Sequence, residues 1–172
     1  KENGPLVAGL VIESAAPGCR KLTREIRLGS GLDRVEIINT VDKEKIRTKE
    51  GVHFAFDFSV PDGVMRMDTP WAVVRPESDQ LPGSCKNSFT VQRWVDVSNQ
   101  ANGVTWATVD APLVEVGAIT AETPWMTTIE PSQRLYSYVM NNYWHTNYKA
   151  DQEGPTVFRY SIWPHGRFDS AA

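Results

Sequence analysis

The sequence predicts an all-β chain, folded as one antiparallel β-sandwich domain. Three observations carry that expectation. Residues 52–60 alternate strictly, with Val52, Phe54, Phe56, Phe58 and Val60 on one face and His53, Ala55, Asp57 and Ser59 on the other. Twelve glycines and eleven prolines in 172 residues cut the chain into short segments. No stretch sustains the 3.6-residue period of an amphipathic helix.

The elements follow in order. Residues 6–14 are a short apolar run, a strand broken by Ala16-Pro17-Gly18. Residues 22–28 alternate, Gly29-Ser30-Gly31 signals a turn, and residues 34–41 alternate again with Val35, Ile37, Asn39 and Val41 on one face. Strand, glycine turn and strand predict a β-hairpin. Residues 42–50 are rich in charges of both signs and are expected as a solvated loop. The phenylalanine strand comes next and closes at the turn Pro61-Asp62-Gly63. Short strands are expected at 64–67 and 71–74, then a polar loop to Asn87. Residues 89–97 alternate as one strand. With the Asn102-Gly103 turn signal and the strand 104–109 they predict a second hairpin. Strands at 113–116, 135–140 and 157–163 complete a set of about ten.

Composition narrows the function classes. Eighteen basic against 21 acidic residues leave no surplus of charge for nucleic acid or an anionic membrane. No run approaches the ~20 apolar residues of a membrane span. Cys19 and Cys85 are compatible with one disulfide or with two buried thiols. The start, Lys1-Glu2-Asn3-Gly4, reads as that of a piece excised from a longer protein.

Catalytic signatures are sparse. His53, His145 and His165 lie far apart and form no metal-ligand motif with each other or with the cysteines. No GxSxG elbow is present, although a triad assembled in space leaves no such trace. Among the acidic residues Asp57, Asp68, Asp96, Asp110, Glu115, Glu130, Asp151 and Glu153, nothing singles out the pair that glycoside chemistry needs. Asp62 and Asp110 look like turn residues, and His53 like a structural histidine.

One stretch stands apart. Met140-Asn-Asn-Tyr-Trp-His-Thr-Asn-Tyr148 holds three aromatics, three asparagines, a histidine and a threonine in nine residues, with no carboxylate or lysine. Flat rings beside amide donors and acceptors are what a sugar asks for: an apolar face to rest on and partners for its hydroxyls. A structural reading puts Tyr143, Trp144 and Tyr148 in the core and lets the asparagines close a turn. The functional reading has Asn141, Asn142, Trp144, His145 and Asn147 lining a carbohydrate cleft at a strand end.

Several strings resemble the C-terminal region of glycoside hydrolase family 38, the α-mannosidase family, in its bacterial branch. They are Val11-Ile-Glu-Ser14 with Ala16-Pro-Gly-Cys19, Leu32-Asp-Arg-Val-Glu-Ile-Ile-Asn-Thr-Val-Asp-Lys43, Gly51-Val-His-Phe-Ala-Phe56, and Met140 to Tyr148 followed by Asp151-Gln-Glu-Gly154. The resemblance runs along most of the chain, and the 141–148 string is its most specific part. It implies a supersandwich of the galactose-mutarotase type, cut from a larger C-terminal region. It also implies a parent with an N-terminal (β/α) barrel that carries zinc and an aspartate nucleophile and cleaves α-mannosides with retention. The nucleophile and the zinc ligands have no positions in this sequence, so no catalytic residue and no cofactor is expected within it. The implied partners are a mannoside-type glycan and the catalytic barrel, with no nucleic acid and no membrane. Two rivals remain at this stage. One is a freestanding carbohydrate-binding module. The other is an aldose-epimerase-like enzyme, which needs His53 or His145 to face Glu130 or Glu153 in a cleft.

Overall fold

Alternating apolar side chains form stable strands only where a second layer covers them. The computed structural model shows where that cover exists. It describes residues 2–120, 125–142 and 149–169. These form thirteen strands and no helix. In chain order they are β1 (Glu2–Asn3), β2 (Val7–Ala16), β3 (Cys19–Gly29), β4 (Val35–Lys43), β5 (Gly51–Asp57), β6 (Val64–Thr69), β7 (Ala72–Val74), β8 (Phe89–Thr90), β9 (Trp94–Ser98), β10 (Gly103–Thr108), β11 (Leu113–Val116), β12 (Arg134–Asn141) and β13 (Gly154–His165).

Two antiparallel sheets result. The larger has nine strands in the order β1-β2-β3-β4-β13-β10-β9-β6-β7; the smaller has four in the order β5-β12-β11-β8. Neither closes into a barrel. Both expected hairpins are present, β3 with β4 and β9 with β10.

The core lies between the sheets. Phe54 and Phe56 of β5 reach across to Phe158 and Tyr160 of β13 and Trp106 of β10, with ring centroids 4.9–6.2 Å apart. Tyr160 is fully buried and donates its hydroxyl to Ser137 Oγ on β12 at 3.0 Å, a polar tie between the sheets. Burial pushes its phenol up to about 12, because the ionised form has no water to solvate it.

The larger sheet outruns the smaller. Registers place Leu10, Ile26, Ile37 and Tyr160 in one transverse row on the core face, and Ala8, Leu28, Val35 and Ile162 in the next. Tyr160 is covered, but Leu10, Ile12 and Leu28 stay 49%, 42% and 51% exposed. The apolar parity continues past the edge of its cover.

Three expectations need correction. The alternating run 89–97 is two strands in different sheets, β8 and β9. Asp68 Oδ1 accepts the backbone N–H groups of Gln92, Arg93 and Trp94 at 2.8–3.1 Å and turns the chain from one sheet into the other. Phe89, Val91, Val95 and Val97 all still point inward, so alternation alone does not reveal the crossing. The phenylalanine strand stops at Asp57, but Val60 stays buried. The Gln133 amide takes over the ladder, accepting from Val60 N at 2.7 Å and donating to Val60 O at 2.7 Å. Trp71 is no strand residue: it sits in the β6–β7 turn with φ near 70°, fully exposed. The charged segment 42–50 is, past Lys43, the solvated loop expected, with Glu44, Lys45, Arg47, Thr48 and Lys49 exposed, and it is anchored as set out below.

Cys19 and Cys85 are both free, Cys19 half-buried and Cys85 exposed. Burial pushes the Cys19 thiol up. Among the described residues no helix is long and apolar enough to cross a membrane.

Candidate functional site

The stretch 140–148 begins at the end of β12, beside the segment joining β4 to β5. Val52 pairs with Met140 and Gly51 with Asn141 across a register shift between Tyr138 and Met140. Asn141 is exposed at this strand end. Asn142 is buried, and its side chain is fully committed. Its Oδ1 accepts from Glu50 N at 2.5 Å, and its Nδ2 donates to Ile46 O at 3.0 Å and Thr48 O at 2.6 Å. Its own backbone N–H donates to Glu50 O at 3.1 Å. Asn142 therefore fastens the 46–50 segment. Trp144, His145 and Asn147, with Tyr143 and Tyr148, lie outside the described residues.

Charged residues lock the same region. The buried Lys43 ammonium donates to Gly18 O at 2.8 Å and Glu44 O at 3.2 Å and pairs with Glu50 at 2.6 Å. All three of its protons thus have partners, which is what burying an ammonium requires. The Asp151 carboxylate, buried on the far side of 143–148, accepts from Arg47 Nε at 2.8 Å. That guanidinium holds the Asp151 carboxyl below the usual carboxylate range. The β2–β3 turn, the 43–50 segment and both flanks of 143–148 form one cross-linked platform. Its described part holds a void of about 10 Å³ around Lys43, Glu50, Met140, Asn141 and Gln152, at the lower limit for a single water. Beside it an open hollow of about 290 Å³ lies against Met140, Lys149, Gln152 and Glu153, next to the ends of the loop.

The two described histidines, His53 and His165, lie elsewhere. His53 Nε2 lies 2.9 Å from Glu115 Oε2, on the face of the smaller sheet away from the core, and its ring stacks on Tyr138 at 4.2 Å. Both side chains are buried, as a structural histidine would be. The partner is Glu115, not Glu130 or Glu153. Glu130 is exposed beside Pro131, and Glu153 is half-exposed, 3.8 Å from Lys45. His165 meets Asp96 on the outer face of the larger sheet, with Nε2 2.8 Å from Oδ2. Ser98 donates to the other carboxylate oxygen at 2.5 Å. Serine, aspartate and histidine do converge here, but the aspartate stands in the middle, so the histidine does not activate the serine as in a hydrolase triad. Among the described residues no three of His, Cys, Asp or Glu gather as metal ligands.

Parity held some of this information. Lys43 continues the inward row Val35, Ile37, Asn39, Val41 and so is due to be buried. Trp94 and Asp96 alternate with the inward Val95 and Val97, which assigns them to the outer face. The long-range partners, Gly18 for Lys43 and His165 for Asp96, leave no local mark.

The architecture is an antiparallel β-sandwich of a nine-stranded and a four-stranded sheet. No protein-family model matches the sequence, and no curated protein does. Solved structures match at the level of fold. An α-mannosidase from Enterococcus faecalis V583 superposes with a TM-score of 0.64 at 15% identity, over 97% of this chain and 22% of its own. A protein of glycosyl hydrolase family 38 from Enterococcus faecalis gives 0.64 at 16% identity with the same coverage. A protein assigned as an aldose 1-epimerase from Escherichia coli K12 gives 0.53 at 12% identity, over 96% of this chain and 67% of that one. The chain thus spans about a fifth of the length of the two glycosidase-family structures and has the fold of a domain within them.

Proposed function

We propose that this chain is the β-sandwich region of a family 38-like glycosidase of α-mannosidase type. It supports a catalytic (β/α) barrel and lends the 141–148 loop to that barrel's substrate cleft. The observation that carries the reading is the fold likeness to family 38 structures over 97% of the chain. The platform adds a physical role: it clamps both ends of the loop. Asn141, Trp144, His145 and Asn147 then face the sugar, with Trp144 under an apolar ring face and the amides on hydroxyls. Asn142 acts by holding the loop's base. Zinc and the nucleophile belong to the barrel.

The isolated chain is expected to leave a nitrophenyl α-mannoside intact, and robust turnover would overturn the proposal. In the barrel-bearing protein, Trp144→Ala and Asn147→Ala are expected to raise KM about 10-fold or more, the loss of one or two good sugar contacts. Unchanged kinetics in both would refute the loop's role. An upstream coding sequence without a zinc-binding barrel would favour the freestanding module.

A further inference from the structure

The outer face of the larger sheet carries a cleft lined by Trp94, Trp163 and Phe168. Its floor is β10, where Thr105 points outward and is small. Its walls stand on the two neighbouring strands. Trp94 of β9 is registered opposite Ala107, and Trp163 of β13 opposite Thr105. With strands ~4.8 Å apart and the two positions staggered by two residues along β10, their Cα atoms stand about 12 Å from each other. The segment 166–169 closes one end and adds a third ring, Phe168, 5.9 Å from Trp94 at 47°. The space enclosed is about 490 Å³, within the range of small-ligand pockets.

This cleft has a rigid frame. Asp96, fully buried beneath it, takes hydrogen bonds from Ser98 at 2.5 Å and Thr105 at 3.1 Å and meets His165 Nε2 at 2.8 Å. His165 Nδ1 lies 2.7 Å from Gly166 O, which sets the path of the terminal segment. The Arg66 guanidinium sits 4.8 Å over the Phe168 ring and holds it in place. Gly103 is required here, since a Cβ would lie 2.3 Å from His165 Cε1.

We infer that this trough is a second carbohydrate subsite, one that takes a neutral pyranose ring. Angled aromatic walls accept the C–H faces of a sugar, whereas a nucleobase would need a parallel slot. Thr105, His165 and Arg167 interrupt the apolar lining, which disfavours a lipid chain, and the Arg167 guanidinium supplies donors for hydroxyls. Arg167 and Asp169 line it with opposite charges, so neither an anionic nor a cationic ligand is preferred. Both ring nitrogens of His165 face protein oxygens, so the site binds and does not turn over. The inference does not depend on the 141–148 loop touching sugar.

The test is tryptophan fluorescence and calorimetry of the chain with methyl pyranosides of mannose, glucose and galactose, and with glucuronate as an anionic control. At least one neutral glycoside is expected to bind saturably. Trp163→Ala and Phe168→Ala, each removing one aromatic wall, are expected to weaken binding at least tenfold with an unchanged melting temperature. Trp144→Ala is expected to leave it intact. Lack of saturable binding by every neutral glycoside, preference for glucuronate, or binding that survives both Trp163→Ala and Phe168→Ala would each overturn the inference. Loss in Trp144→Ala alone would assign the sugar to the loop instead.

Discussion

The two halves of the larger sheet obey the same alternation and end in opposite states. Across β13, β10 and β9 the inward side chains meet the smaller sheet, and Trp106, Tyr160, Val95 and Val97 lose all or nearly all contact with water. Across β2 and β3 the alternation is as regular, but the smaller sheet ends at β5, and Leu10, Ile12 and Leu28 remain about half exposed. Sequence periodicity therefore reports which face a side chain takes, not whether that face is covered. Cover is a property of topology, decided by strands far away in the chain.

The contrast can be broken experimentally. The largest effect is expected from Trp106→Ala, which opens a cavity in the covered half. A loss of about 3–5 kcal/mol in denaturant unfolding is anticipated. Leu10→Ala, a comparable truncation in the overhang, is expected to cost under about 1 kcal/mol. Equal costs would mean that the overhang is covered in solution.

Asn142→Ala comes next. It removes the side-chain bonds to Ile46, Thr48 and Glu50, and about 1–3 kcal/mol is expected from backbone groups left unpaired. The loss should be local, with amide exchange rising at Glu50 before it rises in β10. Uniform acceleration would show that the platform is part of the global folding unit.

Tyr160→Phe tests the tie between sheets, at about 1 kcal/mol for one buried hydrogen bond. The phenol's raised value also sets a pH window. The folded state keeps the proton that the unfolded chain releases near 10, so stability falls between about 10 and 12. That alkaline slope should diminish in Tyr160→Phe, as followed by urea titrations at several pH values.

The smallest effect is expected at Asp110, whose carboxyl is held low chiefly by the Arg159 guanidinium at 2.7 Å. A depressed carboxyl stabilises the fold above its unfolded value and loses that contribution as pH falls through the folded one. The stability difference between the wild type and Asp110→Asn should therefore shrink from pH 6 toward pH 2. A difference that grows in acid would contradict the assignment.

Much of the fold was legible in local pattern. Both hairpins could be read from glycine turns flanked by alternation, and the phenylalanine strand from its parity. What escaped notice depends on side chains acting at a distance. Asp68 breaks the run 89–97 from 24 to 26 positions away. Gln133 substitutes for a strand partner 73 positions from Val60. The same holds for the candidate site. Composition drew attention to the 140–148 string, but the platform beneath it is made by Lys43, Arg47, Glu50 and Asp151, whose pairings become visible only once β4, β5 and β12 are folded together. The outer cleft was missed because Trp94 and Trp163 are 69 positions apart and meet only across β10.

Asn142 and Asp151 bracket the loop like the two jaws of a chuck. Each is tied to the 43–50 segment, Asn142 through Ile46, Thr48 and Glu50 and Asp151 through Arg47. The loop can then be exchanged for one of another length or sequence while its ends keep their seats. A domain built this way lends itself to retuning what it presents to a partner without the sandwich having to refold around each change.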